Sequence, residues 1–287
     1  MEKELAKELI NAGAHFGHGV SRWNPKMQQF IFSKRGKIHV IDIRKTIKGI
    51  LLARKLLAEV VGGGRDCLFV GTKRQAQRAV EAAAAKCSMH YVSQRWLGGT
   101  LTNFRTIRSR LQRLEQLEAM AEGGTLESES KKHASRLKRE MRKIKANLDG
   151  IRRMSQLPGA VVVVDARKEY IALREAGKLG IPTIAIIDTD SDPDSVDVAI
   201  PANDDSIRAI DIILNELADA VALGKTMTPP EHAQARRPRR ARASRDALAR
   251  AEEAEPATVA AEQPSPRSPD LSRRSEAQPE PAQPQQP

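Results

Sequence analysis

Aromatic rings are scarce: five Phe, two Tyr and two Trp in 287 residues. A protein that reads single-stranded nucleic acid needs exposed rings on which bases stack, and too few remain once a core has taken its share. Any nucleic acid partner is therefore expected to be folded and held through phosphate, sugar and shape. Cysteine is nearly absent too. Cys67 and Cys87 match no zinc or redox spacing and are expected to be reduced core residues of a cytoplasmic protein. No apolar run approaches a membrane span, and the start lacks a basic-then-apolar signal pattern, so no membrane partner is expected. Catalytic signatures are also missing. No G-x-G-x-x-G follows an expected strand; Gly224-Lys225-Thr226 imitates a P-loop end, but Asp219 stands where glycine is needed. An enzyme is not expected.

What the chain does have is positive charge: 48 Lys/Arg against 36 Asp/Glu, a net +12 and a pI near 9.9. The excess is local. Residues 131–153 hold ten Lys/Arg and only two acids, Glu140 and Asp149, and residues 104–114 hold four Arg and no acid. A solvated helix face normally mixes its signs, as Glu115, Glu118 and Glu122 do; an unmixed one repels itself until an anion neutralises it. Folded RNA is the expected partner.

That basic stretch reads as two helices. Ile107, Leu111, Leu114, Leu117 and Ala121 mark the first; Leu137, Met141, Ile144, Leu148 and Ile151 mark the second, in alternating steps of four and three. The second series is a heptad seam. Gly123-Gly124 and the Ser/Glu run after them break the helix, so an antiparallel coiled-coil hairpin is expected over 104–153. Beyond 224 the composition changes. Eleven of the 16 prolines lie there, with Leu248, Val259 and Leu271 the only sizeable aliphatics after Met227. Such a segment cannot offset its ordering entropy by burial, and 225–287 is expected to be a disordered tail.

Around the hairpin, short apolar runs alternate with helical patterns. Strands are expected at 29–33 and 38–41, as a hairpin, and at 66–70, 89–92, 160–164, 183–187 and 198–201. Helices are expected at 3–13, 42–61, 73–86, 168–178 and 204–223, the last capped by Asp204-Asp205-Ser206. Residues 14–18 are expected to be a turn. Strand–helix alternation with continuous apolar strands predicts an α/β fold, a doubly wound, mainly parallel sheet formed by 1–103 and 154–224 with the hairpin inserted.

Ligands of such sheets sit past the carboxyl ends of the strands. Positive charge there and at the hairpin's base nominates Arg22, Lys26, Lys73, Arg74, Arg95, Arg105, Arg108, Arg110, Lys138, Arg142 and Lys145 as RNA contacts. His15 and His18, three apart in a glycine-rich turn, could meet Asp188 and Asp204 around a divalent metal such as zinc; the alternative is that the histidines bond backbone or RNA and the aspartates cap helices. No other cofactor is expected. Trp23 and Trp96 each follow an arginine, and anchoring a loop to the core is the role expected of both, with RNA stacking the alternative. Two rival functions remain: a nucleotide-dependent enzyme using Gly71-Thr72-Lys73, and a scaffold that binds only proteins.

Longer motifs narrow this. Ala14-His15-Phe16-Gly17-His18, Trp23-Asn24-Pro25-Lys26-Met27, Phe69-Val70-Gly71-Thr72-Lys73, the run from Gln94-Arg95-Trp96-Leu97-Gly98-Gly99 to Thr100-Leu101-Thr102-Asn103-Phe104, and Gly180-Ile181-Pro182 through Asp188-Thr189 together resemble the bacterial small-subunit ribosomal protein family numbered two, in order over about 4–224. The resemblance implies a flavodoxin-like domain with a protruding helical hairpin. It also implies a structural, non-catalytic role in translation: cytoplasmic, on the ribosome, bound to small-subunit rRNA and to neighbouring ribosomal proteins. Among these it would help anchor the large mRNA-binding protein numbered one. Asp190, where the family usually has Asn, and Asp149, where a second Gly is common, depart from the pattern; they bear on a metal or partner contact and on the hairpin's exit.

Overall fold

A computed structural model describes residues 2–124 and 130–227. Both residues 125–129, where the tip of the expected hairpin falls, and residues 228–287, nearly all of the expected tail, lie outside the described residues.

Five strands form the parallel sheet: β4 (Cys67–Val70), β5 (His90–Val92), β6 (Ala160–Val164), β7 (Thr183–Ile187) and β8 (Val198–Pro201), in the order β5-β4-β6-β7-β8. Every residue of β4, β6 and β7 is buried, because each face of the pleat meets its own apolar layer. Phe69, Val162, Val164, Ile184, Ile186 and Ile200 point into one cluster. Leu68, Val70, Val161, Val163, Ala185 and Ile187 point into the other. Each large aliphatic or aromatic side chain so buried contributes about 1.5–3 kcal/mol. This two-sided burial is why these strands read as unbroken apolar runs.

The first layer is completed by α1 (Glu2–Asn11), α2 (Ile43–Gly62), α3 (Arg74–Cys87) and the final helix α7 (Ile207–Met227), through side chains such as Leu9, Ile50, Leu57, Val80, Ile213 and Leu217. Cys67 and Cys87 are free and buried within it. Asp42 caps α2 by accepting from the Arg44 N–H (3.0 Å). Gly49 lets that helix lie against β8; a Cβ there would stand 2.6 Å from the Ala199 carbonyl oxygen. The second layer is completed by α6 (Tyr170–Lys178), which buries Ala172, Leu173 and Ala176, and by residues of the basic stretch.

Within that stretch, α4 (Phe104–Glu122) and α5 (Lys131–Leu148) pack on each other. Leu117 and Leu137 are buried together with Met120, Met141 and Ile144. Ile107 and Leu111, early in α4, instead join Leu148, Ile151 and Met154, late in the stretch, in the sheet's second layer. The apolar stripe thus has two jobs, pairing at one end and rooting in the body at the other. The exit turn is tight: a Cβ on Gly150 would fall 2.2 Å from the Tyr91 carbonyl oxygen. Glycine at 150 is therefore the residue that lets the stretch return to the sheet, beside Asp149.

Three expectations need correction. Residues Phe16–Gly19 form a strand, β1, where a turn was expected. It pairs antiparallel with β3 (Ile38–Ile41), which also pairs with β2 (Ile31–Arg35), giving a second sheet of order β1-β3-β2. Two glycines within four residues hide a strand whose order comes from its partner. Gly17 is required by proximity, since a Cβ there would meet Thr189 Cγ2 at 2.6 Å. Next, residues Pro25–Phe30 wind into a 3-10 helix rather than starting the β2 strand, because Asn24 accepts from the Lys26 N–H and Pro25 pre-sets the turn. Finally, α7 runs to Met227 rather than ending at 223. Its amino end is held by Asn203 and Ser206, which accept from the N–H groups of Asp205 (2.9 Å) and Ala209 (3.4 Å); Asp204 is released for another purpose.

Candidate nucleic-acid interface and carboxylate cluster

Asp204 serves a cluster past the carboxyl ends of the strands. Lys73, at the turn after β4, places its ammonium 2.7 Å from Asp204, 2.6 Å from Asp205 and 3.6 Å from Asp165. His18, carried there by β1, sets Nδ1 2.8 Å from Asp188 and Nε2 3.7 Å from Asp205. Asp188 and Asp204 are each 1% exposed. Burial first, then the charges of Asp165 and Asp188, push Asp204 up to about 7, against the pull of Lys73. His18 rises to about 9, chiefly through its hydrogen bond to Asp188, with burial opposing. Burial also opposes the Lys73 ammonium, but Asp204 and Asp205 raise its pKa. Asp165 holds a left-handed backbone conformation, φ 70°, at the end of β6.

Of the four nominated metal ligands, His18, Asp188 and Asp204 come together: one ligand atom from each lies within 4.8 Å of the others. His15 is not in that group; its ring tilts against Phe16 at 4.0 Å between centroids. Asp190 pairs with Arg167 at 2.8 Å.

The crevice expected to serve a nucleotide rival is taken by the protein's own side chains. Glu169, 3% exposed, accepts from the Thr72 N–H at 3.0 Å and from the Thr72 hydroxyl. Burial holds its carboxyl above the ordinary value, with the Thr72 bonds opposing. Another buried acid, Glu175 of α6, organises the loop before α4. Its carboxylate accepts from the N–H groups of Gly99 (2.7 Å), Leu101 (3.0 Å) and Thr102 (3.1 Å), from the Thr102 hydroxyl (3.2 Å) and from Trp96 Nε1 (3.1 Å). Burial pushes its pKa up, but these donors outweigh burial and hold it below the ordinary value. Trp96 is 7% exposed and anchors the loop to the core. Trp23 is half-buried and tilts over His39 at 5.0 Å.

Neither acid was singled out from sequence. The signal was present: Glu175 falls on the apolar face of α6 with Ala172, Leu173 and Ala176, and Glu169, at the N-cap position, stands in register with that face one turn before Leu173. A carboxylate at helical spacing among core residues must have buried donors or be costly.

The nominated RNA contacts divide in two. Arg22, Arg74, Arg95, Arg105, Arg110, Lys138 and Arg142 are exposed and make no ion pair with any described residue. Arg108 is exposed and donates to the Met154 carbonyl oxygen at 3.0 Å. Lys26 is held by Asp192 and Asp194 at 3.0 and 2.7 Å, Lys145 pairs with Glu118 at 3.3 Å, and Lys73 lies within the carboxylate cluster. Glu118 also binds Arg152, so one acid of α4 gathers two cations from the returning half.

Comparison with known proteins agrees with the motifs. A model of the family described as Ribosomal protein S2 matches residues 9–224. A protein of Rhodopirellula baltica (strain DSM 10527 / NCIMB 13988 / SH1) named Small ribosomal subunit protein uS2 is 56% identical over 233 residues, which cover 81% of this chain and 90% of that protein.

Proposed function

The chain belongs to the ribosomal protein S2 family, and from that premise we propose that it is a structural component of the small ribosomal subunit that holds folded rRNA against its exposed cations. The family carries a structural role in translation. No described helix is long and apolar enough to cross a membrane, and the site of action we propose is the ribosome in the cytoplasm. The observation that supports rRNA binding is the set of exposed cations on the strand-end turns and along α4 and α5, from Arg22 to Arg142, that make no ion pair with any described residue. In this reading 104–153 works as an antiparallel coiled-coil arm, rooted in the body by Ile107, Leu111, Leu148 and Ile151 and neutralised by RNA along its outer faces. The aspartate-rich turns at 188–194 and 204–205 would face a protein neighbour, and we place the mRNA-binding ribosomal protein numbered one among the neighbours it helps to anchor.

Binding to small-subunit rRNA should weaken steeply with salt, the logarithmic slope falling by about 0.7–0.9 for each phosphate contacted. Replacing Lys138 and Arg142 by Ala should reduce that slope by about 1.4–1.8 without moving the melting temperature. Filter binding across a salt series checks both, and a flat response in the wild type would exclude the reading.

We extend the proposal to a divalent metal. One nitrogen and two carboxylate ligands are donor types that suit zinc, which would supply charge to hold the aspartates together. His18, Asp188 and Asp204 would carry it; His15 would not. Zinc must compete with the protons held by His18 and Asp204, so its binding should tighten as pH rises. Stoichiometric zinc is expected to raise the melting temperature of the wild type and of His15→Ala, but not of His18→Ala. An equal rise in His18→Ala would exclude this site.

A further inference from the structure

At the opposite edge of the sheet, before the amino ends of β4 and β5, lies a groove of about 840 Å³. Arg65, Arg152, Arg153 and Lys225 line it against two acids, Asp66 and Asp149. The cations come from three separate places in the chain: the approach to β4, the exit of the basic stretch, and the end of α7. Arg152 is already committed to Glu118. Arg65 and Arg153 are exposed and make no ion pair with another described residue, and exposed Lys225 gives its ammonium to the Ser88 carbonyl oxygen at 3.2 Å. None of these four was nominated from the sequence, because each is isolated there or merges into a longer charge run.

We infer that this groove is a second RNA surface, one that tracks a stretch of sugar-phosphate backbone from the root of the helical pair under the sheet; the inference rests on the rRNA-binding reading above. Three features choose backbone over other ligands. The free cations are long, exposed and spread around a wide opening, which suits several phosphates in a row better than one small anion. The aromatic ring in the wall, Tyr91, is not offered for stacking, because Gly150 packs on it closely enough that a Cβ would come 2.7 Å from its Cδ2. Arg152 and Arg153 also follow Lys143 and Lys145 of α5 in the chain, and Lys145 and Arg152 share Glu118, so the groove adjoins the cationic end of that helix and an RNA segment lying along it passes one exposed acid, Asp149, on entering.

The test is the full chain with Arg65→Ala, Arg153→Ala and Lys225→Ala together, bound to small-subunit rRNA across a salt series and footprinted with hydroxyl radicals. All three sites are exposed, and an unchanged melting temperature would show that the fold is kept. The expected result is a salt slope lower by about 2–3, with one protected patch lost while the patch that depends on Lys138 and Arg142 stays. A variant with wild-type slope and footprint would overturn the inference and leave the arm's role intact. So would a variant that binds rRNA normally yet is lost from assembled subunits, which would assign the groove to an acidic protein neighbour. If the wild type itself were indifferent to rRNA, the reading beneath would fall, and the groove with it.

Discussion

Glu175→Ala is expected to lower the melting temperature by roughly 10 °C. The carboxylate satisfies three backbone N–H groups, a hydroxyl and the Trp96 indole at once. Alanine would strand those donors beneath a loop whose Trp96, Thr100 and Leu101 are buried. Each bond to a charged acceptor is worth about 1.5–3 kcal/mol, and a buried donor left alone costs about 1–3 kcal/mol. Local relaxation and water recover part of this, leaving about 3–5 kcal/mol, which at about 2–4 °C per kcal/mol in a chain of this size gives the shift stated. Glu175→Gln keeps one good acceptor and should fall between. The pH dependence has a definite sign. The folded-state pKa of Glu175 lies below its unfolded value near 4.5, so its contribution is complete above that value and is lost as pH falls through the lower one. The wild type should therefore show an acid-side loss of stability that Glu175→Gln lacks. Unfolding of both variants from pH 2 to 7 measures this; an unchanged midpoint in Glu175→Ala, or identical acid limbs, would refute the role. The consequence reaches function, because the loop delivers the chain into α4, and with the loop loosened the basic helices should lose affinity for rRNA even though the substitution removes an acid and raises the net positive charge.

The difference between what was legible and what was not follows from where the deciding interaction lies. β6 and β7 could be placed from sequence to the residue because four consecutive valines and Thr183–Ile187 need only bury both faces, a local property. The apolar spacing of α4 and α5 was equally local. β1 was missed because Phe16–Gly19 has no strand character of its own; pairing with β3 makes it one, and that partner lies twenty residues away. The same holds for the acids. Glu169 and Glu175 could have been flagged by their position on an apolar face, but their donors, Thr72 and the 96–102 loop, are more than seventy residues distant. Asp204 looked like a helix cap by spacing, and the cap fell to Asn203 and Ser206 instead. Charge was legible as a total and not as an arrangement: the basic stretch stood out, whereas the pairing of Lys26, Lys73 and Lys145 depends on which acids the fold brings near.

Lys73 separates the two descriptions most sharply, and Lys73→Met is expected to destabilise the protein by about 3–5 kcal/mol, the usual result of removing one partner from a buried ion pair. Its side chain is 15% exposed and its ammonium lies between Asp165, Asp204 and Asp205, while Asp188 is held by His18. Methionine fills much of the same volume, so the loss would be of charge rather than of packing. The damage should then be reversible by reducing the opposing charge. Asp204→Asn in the Lys73→Met background should restore a large part of the stability, although Asp204→Asn alone should cost some, and a double-mutant cycle on the four proteins would show a coupling well above 1 kcal/mol. If Lys73 instead served as a free cation for phosphate, as its place after β4 suggests from sequence, Lys73→Met would melt like the wild type, the cycle would close with no coupling, and only the salt slope for rRNA would change, by just under one. The geometry requires the first outcome. A lysine chelated by three carboxylates has no charge to spare for RNA, and its contribution to binding must pass through the turn it holds in place, where Arg74 beside it remains exposed.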